Sequence, residues 1–166
     1  MPHLWRCSVS RKGRMTQFIL EFPYAPPPEL RKNNHGANRW KIKEAKDVVR
    51  ADAMRQLLDI PEASYSDVKA VSVQYVSYFC GRPIDATEFA TGMAPALDCL
   101  SPEKRTQRRG RWYVQPGIGM IEDDSPEFVL PLPTKYVKVP HRKDVKTLML
   151  ITRIDETFWE WKGELE

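Results

Sequence analysis

The segment from Asp67 to Cys80, DVKAVSVQYVSYFC, alternates with period two through Val71, Val73, Tyr75 and Ser77 and is dense in β-branched and aromatic side chains. Successive side chains on a strand point to opposite faces, so the pattern predicts a half-buried strand near the middle of the chain. The stretch before it has the other periodicity. From Asn38, NRWKIKEAKDVVRADAMRQLLDIP places Ile42, Ala45, Val49, Ala53 and Leu57 at steps of three and four, with charge on the other faces, until Pro61 ends the pattern. This predicts an amphipathic helix with Asn38 as its N-cap. A second helix is expected from about Ala86 to Leu100. Strand-like runs at TQFILEF (16–22), at about 127–139 and at about 146–154, the last two joined by the polar turn HRKD, complete the set. The expected fold class is α/β (α+β): a small mixed β-sheet of about four strands packed with two main helices.

A chain of 166 residues, 42% of them hydrophobic, can bury one sizeable core. We expect one compact domain over 15–154, preceded by a basic extension over 1–14 and followed by an acidic, aromatic tail over 155–166. The proline-rich stretch PYAPPPELRKNNHGAN lacks the N–H groups and φ freedom for regular structure and reads as a surface loop. No run reaches the roughly 18–20 apolar residues of a membrane helix, and the start shows no signal-peptide pattern, so a soluble cytoplasmic protein is expected. The three cysteines include no CxxC pair and the three histidines no HxxxH spacing, which argues against a zinc site or a disulfide framework. Cys80 and Cys99, set among apolar neighbours, read as core thiols.

Carboxylates carry the chemical signal. In RPIDATEFATGMAPALDCL, Asp85 lies at a strand-to-helix corner. On the helix that follows, Glu88, Thr91, Pro95 and Asp98 share one stripe, and Phe89, Met93, Ala96 and Leu100 share the apolar one. Further on, Glu122, Asp123 and Asp124 stand side by side. If that stretch enters a strand, Glu122 and Asp124 face one way and Asp123 the other. Oxygen ligands converging in a basic protein suit a hard divalent cation, Mg²⁺ or Mn²⁺. Plainer readings stand beside this one. Asp85 with Glu88 three residues on is also a capping box, and EDDSP is also a solvated turn.

The net charge of +4 favours a polyanionic partner such as nucleic acid. Its densest source is an insertion over about 101–116, SPEKRTQRRGRWYVQP, where Lys104, Arg105, Arg108, Arg109 and Arg111 flank Trp112 and Tyr113. Cations hold phosphates and rings stack on unpaired bases, so the insertion is a candidate DNA contact, helped by Arg31, Lys32 and Arg82. A merely solubilising loop has the same composition.

The order of these pieces resembles the RusA family of Holliday junction resolvases, found in phages and prophages. The likeness covers about residues 16–154: a strand, a proline-rich loop, a helix, a strand leading to Asp85, a helix carrying ALDCL, then Gly119 to Ser125 as G-x-x-x-D-D-S and two closing strands. It implies a small α/β fold, a homodimer acting on branched DNA at a four-way junction, and Mg²⁺-dependent phosphodiester hydrolysis. Asp85, Asp98, Asp123 and Asp124 would then be catalytic, with Asp85, Asp98 and Asp124 as metal ligands and Glu88 as a further ligand or water positioner. Thr87 stands where many members have a second Asp, Glu88 at the usual Asn, and Ala94 where a lysine is often found. These departures motivate a second reading, a RusA-like protein that binds branched or single-stranded DNA without cutting it. A third is an unrelated metal-dependent phosphohydrolase acting on small substrates.

Overall fold

A computed structural model describes residues 17–31 and 38–154, so the terminal extension and tail, and with them Lys32, lie outside the described residues. The elements run β1 (Gln17–Phe22), α1 (Arg39–Leu57), β2 (Val71–Phe79), α2 (Ala86–Asp98), β3 (Pro102–Arg108), β4 (Arg111–Ile118), β5 (Val129–Pro131), β6 (Lys135–Lys138) and β7 (Lys146–Arg153). The α+β class is as expected. Both helices form where the periodicity places them, and Asn38 caps α1 by accepting a hydrogen bond from the Trp40 N–H at 2.9 Å.

The main sheet runs β1-β7-β2, with β5 and β6 following one another along the far side of β2. The first two pairings are antiparallel and the last two parallel, which makes the sheet mixed. Register aligns three rows across one face: Phe18 with Ile151 and Val73, Leu20 with Met149 and Tyr75, and Phe22 with Thr147 and Ser77. All nine side chains are buried. Val49, Ala53 and Leu57 of α1 and Phe89, Met93 and Ala96 of α2 belong to the same core, and the Phe89 and Tyr75 rings meet at 5.8 Å. One face of the sheet is therefore the floor on which both helices lie.

Two expectations need correction. The run at 127–139 is not one strand but two: Pro131 and Pro133 have no N–H to donate, and after Leu132 donates to the Val73 carbonyl at 2.8 Å the chain leaves the ladder until Lys135. The basic insertion is not a loop but a two-stranded antiparallel hairpin, β3–β4. Its two-residue turn puts Arg109 at φ 50° and Gly110 at φ 74°, the paired positive φ values that close a tight hairpin. Of the two cysteines read as core thiols, Cys99 is fully buried and burial pushes its thiol up to about 12, whereas Cys80 is only half-buried. Among the described residues no helix is long and apolar enough to cross a membrane.

The proline-rich loop is tied down from both sides. Arg31 donates from Nε and Nη2 to the Pro26 carbonyl at 3.1 and 2.9 Å, and Pro26 in turn rests on α2 at Gly92. In an exposed helix, exchanging Gly for Ala stabilises by about 1 kcal/mol. At Gly92 the added Cβ would meet the Pro26 Cβ at 2.6 Å, so the sign reverses. Gly92→Ala is expected to lower stability by about 1–3 kcal/mol, the usual range for overpacking. A melting temperature equal to or above that of the unsubstituted protein would refute this packing.

Candidate nucleic-acid interface

The acidic residues divide between the two ends of α2. Asp85 is the N-cap of α2: its Oδ1 accepts from the N–H groups of Thr87 at 2.9 Å and Glu88 at 3.3 Å. Asp98 is the last residue of the same helix. With 13 residues between Ala86 and Asp98 inclusive, and about 1.5 Å of rise for each, the two residues lie about 20 Å apart along the helix axis. One ion cannot be held by both. Glu88, half-buried, stays at the Asp85 end.

Asp98 has different company. Arg50 of α1 reaches it with Nη2 at 3.2 Å, in a pair where both side chains are largely covered. The chain returning from β4 is laced to the same corner, with the Met120 and Ile121 N–H groups donating to the Leu100 carbonyl at 2.8 and 3.2 Å. This brings Glu122, Asp123 and Asp124 to the Asp98 end, while the Tyr136 hydroxyl, donating to the Ile84 carbonyl at 2.8 Å, marks the Asp85 end. The two ends lie beyond opposite ends of β2. Val71, at its start, donates to the Phe128 carbonyl just after the acidic stretch, and Asp85 follows its finish.

The acidic stretch is a turn, not a strand, so the alternation of faces expected for it does not arise. Asp123 Oδ1 accepts the Ser125 N–H at 2.7 Å. Hydrogen bonds from Ser125 hold the Asp123 carboxyl below its ordinary range, and Lys104 adds to the effect by its charge. Glu122 and Asp124 are exposed. At Asp98 the opposing positive charge is therefore supplied by the protein, through Arg50. Two buried donors near Asp98, Arg50 Nε and Ser101 Oγ, have no hydrogen-bond partner among the described residues. The Arg50 Nε–H calls for an acceptor, whereas the Ser101 hydroxyl can donate or accept. Among the described residues no group of three or more His, Cys, Asp and Glu side chains is placed to hold a metal ion. The expected ligands Asp85, Asp98 and Asp124 therefore do not form one Mg²⁺ site among the described residues.

The basic residues are arranged more plainly. The hairpin leaves α2 at Ser101 and Pro102 and returns at Ile118, so it is rooted between Asp98 and the acidic turn. Gly117 lets the strands close there, since a Cβ on it would fall 1.9 Å from the Ser101 carbonyl oxygen. Beyond the root every residue of β3 and the first four of β4 are exposed. Lys104, Arg105, Arg108, Arg109 and Arg111 all project from this ribbon, with Trp112, Tyr113 and Val114 among them. Arg105 is paired with Glu103 at 2.6 Å. Of the other expected DNA contacts, Arg31 is engaged with Pro26, and Arg82 is exposed but sits in the turn after β2, at the Asp85 end. Arg50 is the site residue that sequence reading missed. It meets Asp98 across 48 positions, and nothing local distinguishes it from the other charges of α1.

No protein-family model matches the chain, and no curated protein matches it either.

The capping geometry separates structure from chemistry at Asp85. Replacement by Ala removes the acceptor for two N–H groups and should destabilise the fold by about 1 kcal/mol, whereas Asn still caps and should leave stability within a few tenths. Chemical denaturation of the two variants checks this. Equal loss in both would mean that the carboxylate charge, not its hydrogen bonding, holds the helix start.

Proposed function

We infer that the protein binds branched DNA through the β3–β4 hairpin and processes it as a RusA-like endodeoxyribonuclease. One observation carries the reading. A ribbon bearing five cations and two exposed aromatics is rooted between Asp98 and the acidic turn at 122–124, so DNA held along it would pass beside those carboxylates. The net charge of +4 agrees with a polyanionic partner, and salt-dependent binding is what a set of phosphate contacts produces. Strand cleavage, action at a four-way junction and assembly as a homodimer rest on the family resemblance. A two-fold dimer would match the symmetry of such a junction.

A second reading has its own support: the protein binds branched or single-stranded DNA and does not cut it. Asp85 is occupied in capping, Asp98 in an ion pair and Asp123 in a turn, so three of the four expected catalytic aspartates already have structural work. Within the nuclease reading, Asp124 is the one of these four aspartates left for chemistry.

A synthetic four-way junction in buffers with and without Mg²⁺ or Mn²⁺ decides between them. The nuclease reading expects nicked strands with the metal present, and Asp124→Asn that binds but no longer cuts. Junction binding without strand scission in any buffer would establish the second reading. In either case binding should weaken steeply with salt, and replacing Arg108 and Arg111 with Ala should reduce the slope of log K against log salt by about two, near one for each phosphate no longer neutralised. Absence of binding at low salt would remove both.

A further inference from the structure

The register of the hairpin sorts its side chains in a way the sequence alone does not display. Lys104 pairs with Gln115, Thr106 with Tyr113 and Arg108 with Arg111, and because faces alternate along each strand these six share one face. Arg105 pairs with Val114 and Gln107 with Trp112, and these four share the other. The first face carries three cations around one tyrosine. The second presents Trp112 and Val114, 66% and 54% exposed, side by side in the middle of a ribbon. Arg109 and Gly110 form the tip.

A two-stranded ribbon is marginal on its own in water, and an uncovered Trp–Val patch adds unfavourable hydration without helping the fold. Charge narrows what covers it. Between Pro102 and Ile118 there are five cations and a single acid, Glu103, which is spent on Arg105. A basic protein surface, including a second copy of the same ribbon, would bring like charges together. An unpaired base offers a ring to stack on and carries its phosphate with it.

Resting on the DNA-binding reading above, we propose that the hairpin recognises DNA with unpaired bases by dividing the work between its faces. Lys104, Arg108 and Arg111 track the phosphates of the strand, and Trp112, braced by Val114, stacks on an exposed base. Continuous duplex, whose bases are already stacked on one another, meets only the cationic face. The ribbon thus prefers branch points, gaps and single-stranded tails over unbroken helix.

The test compares the full chain and its variants on two DNA probes of equal phosphate number, a duplex with a single-stranded tail carrying 2-aminopurine and an unbroken duplex. The unsubstituted protein should favour the tailed probe and change its 2-aminopurine emission. Trp112→Ala should lower affinity for the tailed probe about tenfold, within the range of a single base stack, while leaving duplex affinity and the salt slope nearly unchanged. Trp112→Phe, which keeps a ring, should retain most of the preference and guards against a variant whose hairpin has simply come apart. Arg108→Ala with Arg111→Ala should weaken both probes alike and lower the slope. Equal weakening of both probes by Trp112→Ala, no effect of it on either, or loss of self-association in place of loss of DNA would overturn the division of faces while leaving DNA binding itself intact. If the unsubstituted protein binds neither probe, the underlying reading fails first.

Discussion

Three rows of buried side chains across β1, β7 and β2 are the constraint from which the rest of the structure follows. Phe18, Ile151 and Val73, then Leu20, Met149 and Tyr75, present a continuous apolar surface that must be covered. A slip of one residue in any of the three strands would turn its apolar set to the far face, so the register is fixed by burial. Once α2 is laid on this floor with Phe89, Met93 and Ala96 inward, its direction is fixed as well: it starts beyond the end of β2 and finishes near its beginning. The parallel strands β5 and β6 can only be reached by a chain that comes back to that beginning. Where the acidic residues end up is therefore decided by the packing of apolar ones.

This explains what was legible in the sequence and what was not. The alternation at Val71, Val73, Tyr75 and Ser77 and the spacing of Val49, Ala53 and Leu57 are local patterns, and local patterns give element type directly. Asp85 could be read in two ways, as a ligand or as one side of a cap, and the capping geometry is present at 2.9 and 3.3 Å. What the residues could not reveal was the distance across α2. The stripe through Glu88, Thr91, Pro95 and Asp98 puts its carboxylates on one side of α2, yet a stripe on a helix also has length, and it keeps Asp98 away from Glu88 and from Asp85 at the N-cap. The hairpin was hidden for another reason. Its strands are exposed on both faces, so they carry no burial alternation, and only Arg109–Gly110 as a turn and the β-forming Thr106, Trp112, Tyr113 and Val114 signal it. Arg50 escaped because its partner is defined by tertiary structure alone.

Electrostatics at the Asp98 corner bear on how any chemistry there would operate. Asp98 and Arg50 form a covered pair, and removing either partner would leave the other as an uncompensated charge in a poorly solvated place. Such a pair resists exchange of its cation for a different one. Asp123 and Lys104 are looser, since both are open to water and the lysine belongs to the ribbon.

The hairpin also has to be explained as structure before it can be explained as function. It buries little beyond its root, where Gly117 admits the Ser101 carbonyl and Met120 and Ile121 enter the core. An exposed ribbon of this kind gains stability from its tight turn and cross-strand pairs, about 0.2–1 kcal/mol for a good pair, and the Arg108–Arg111 pair places like charges opposite one another and works against it. A ribbon selected for stability alone would not put two arginines there. On the proposed DNA-binding reading, a phosphate lying across both would relieve that repulsion, and part of the affinity would come from charge that the protein holds together at its own expense.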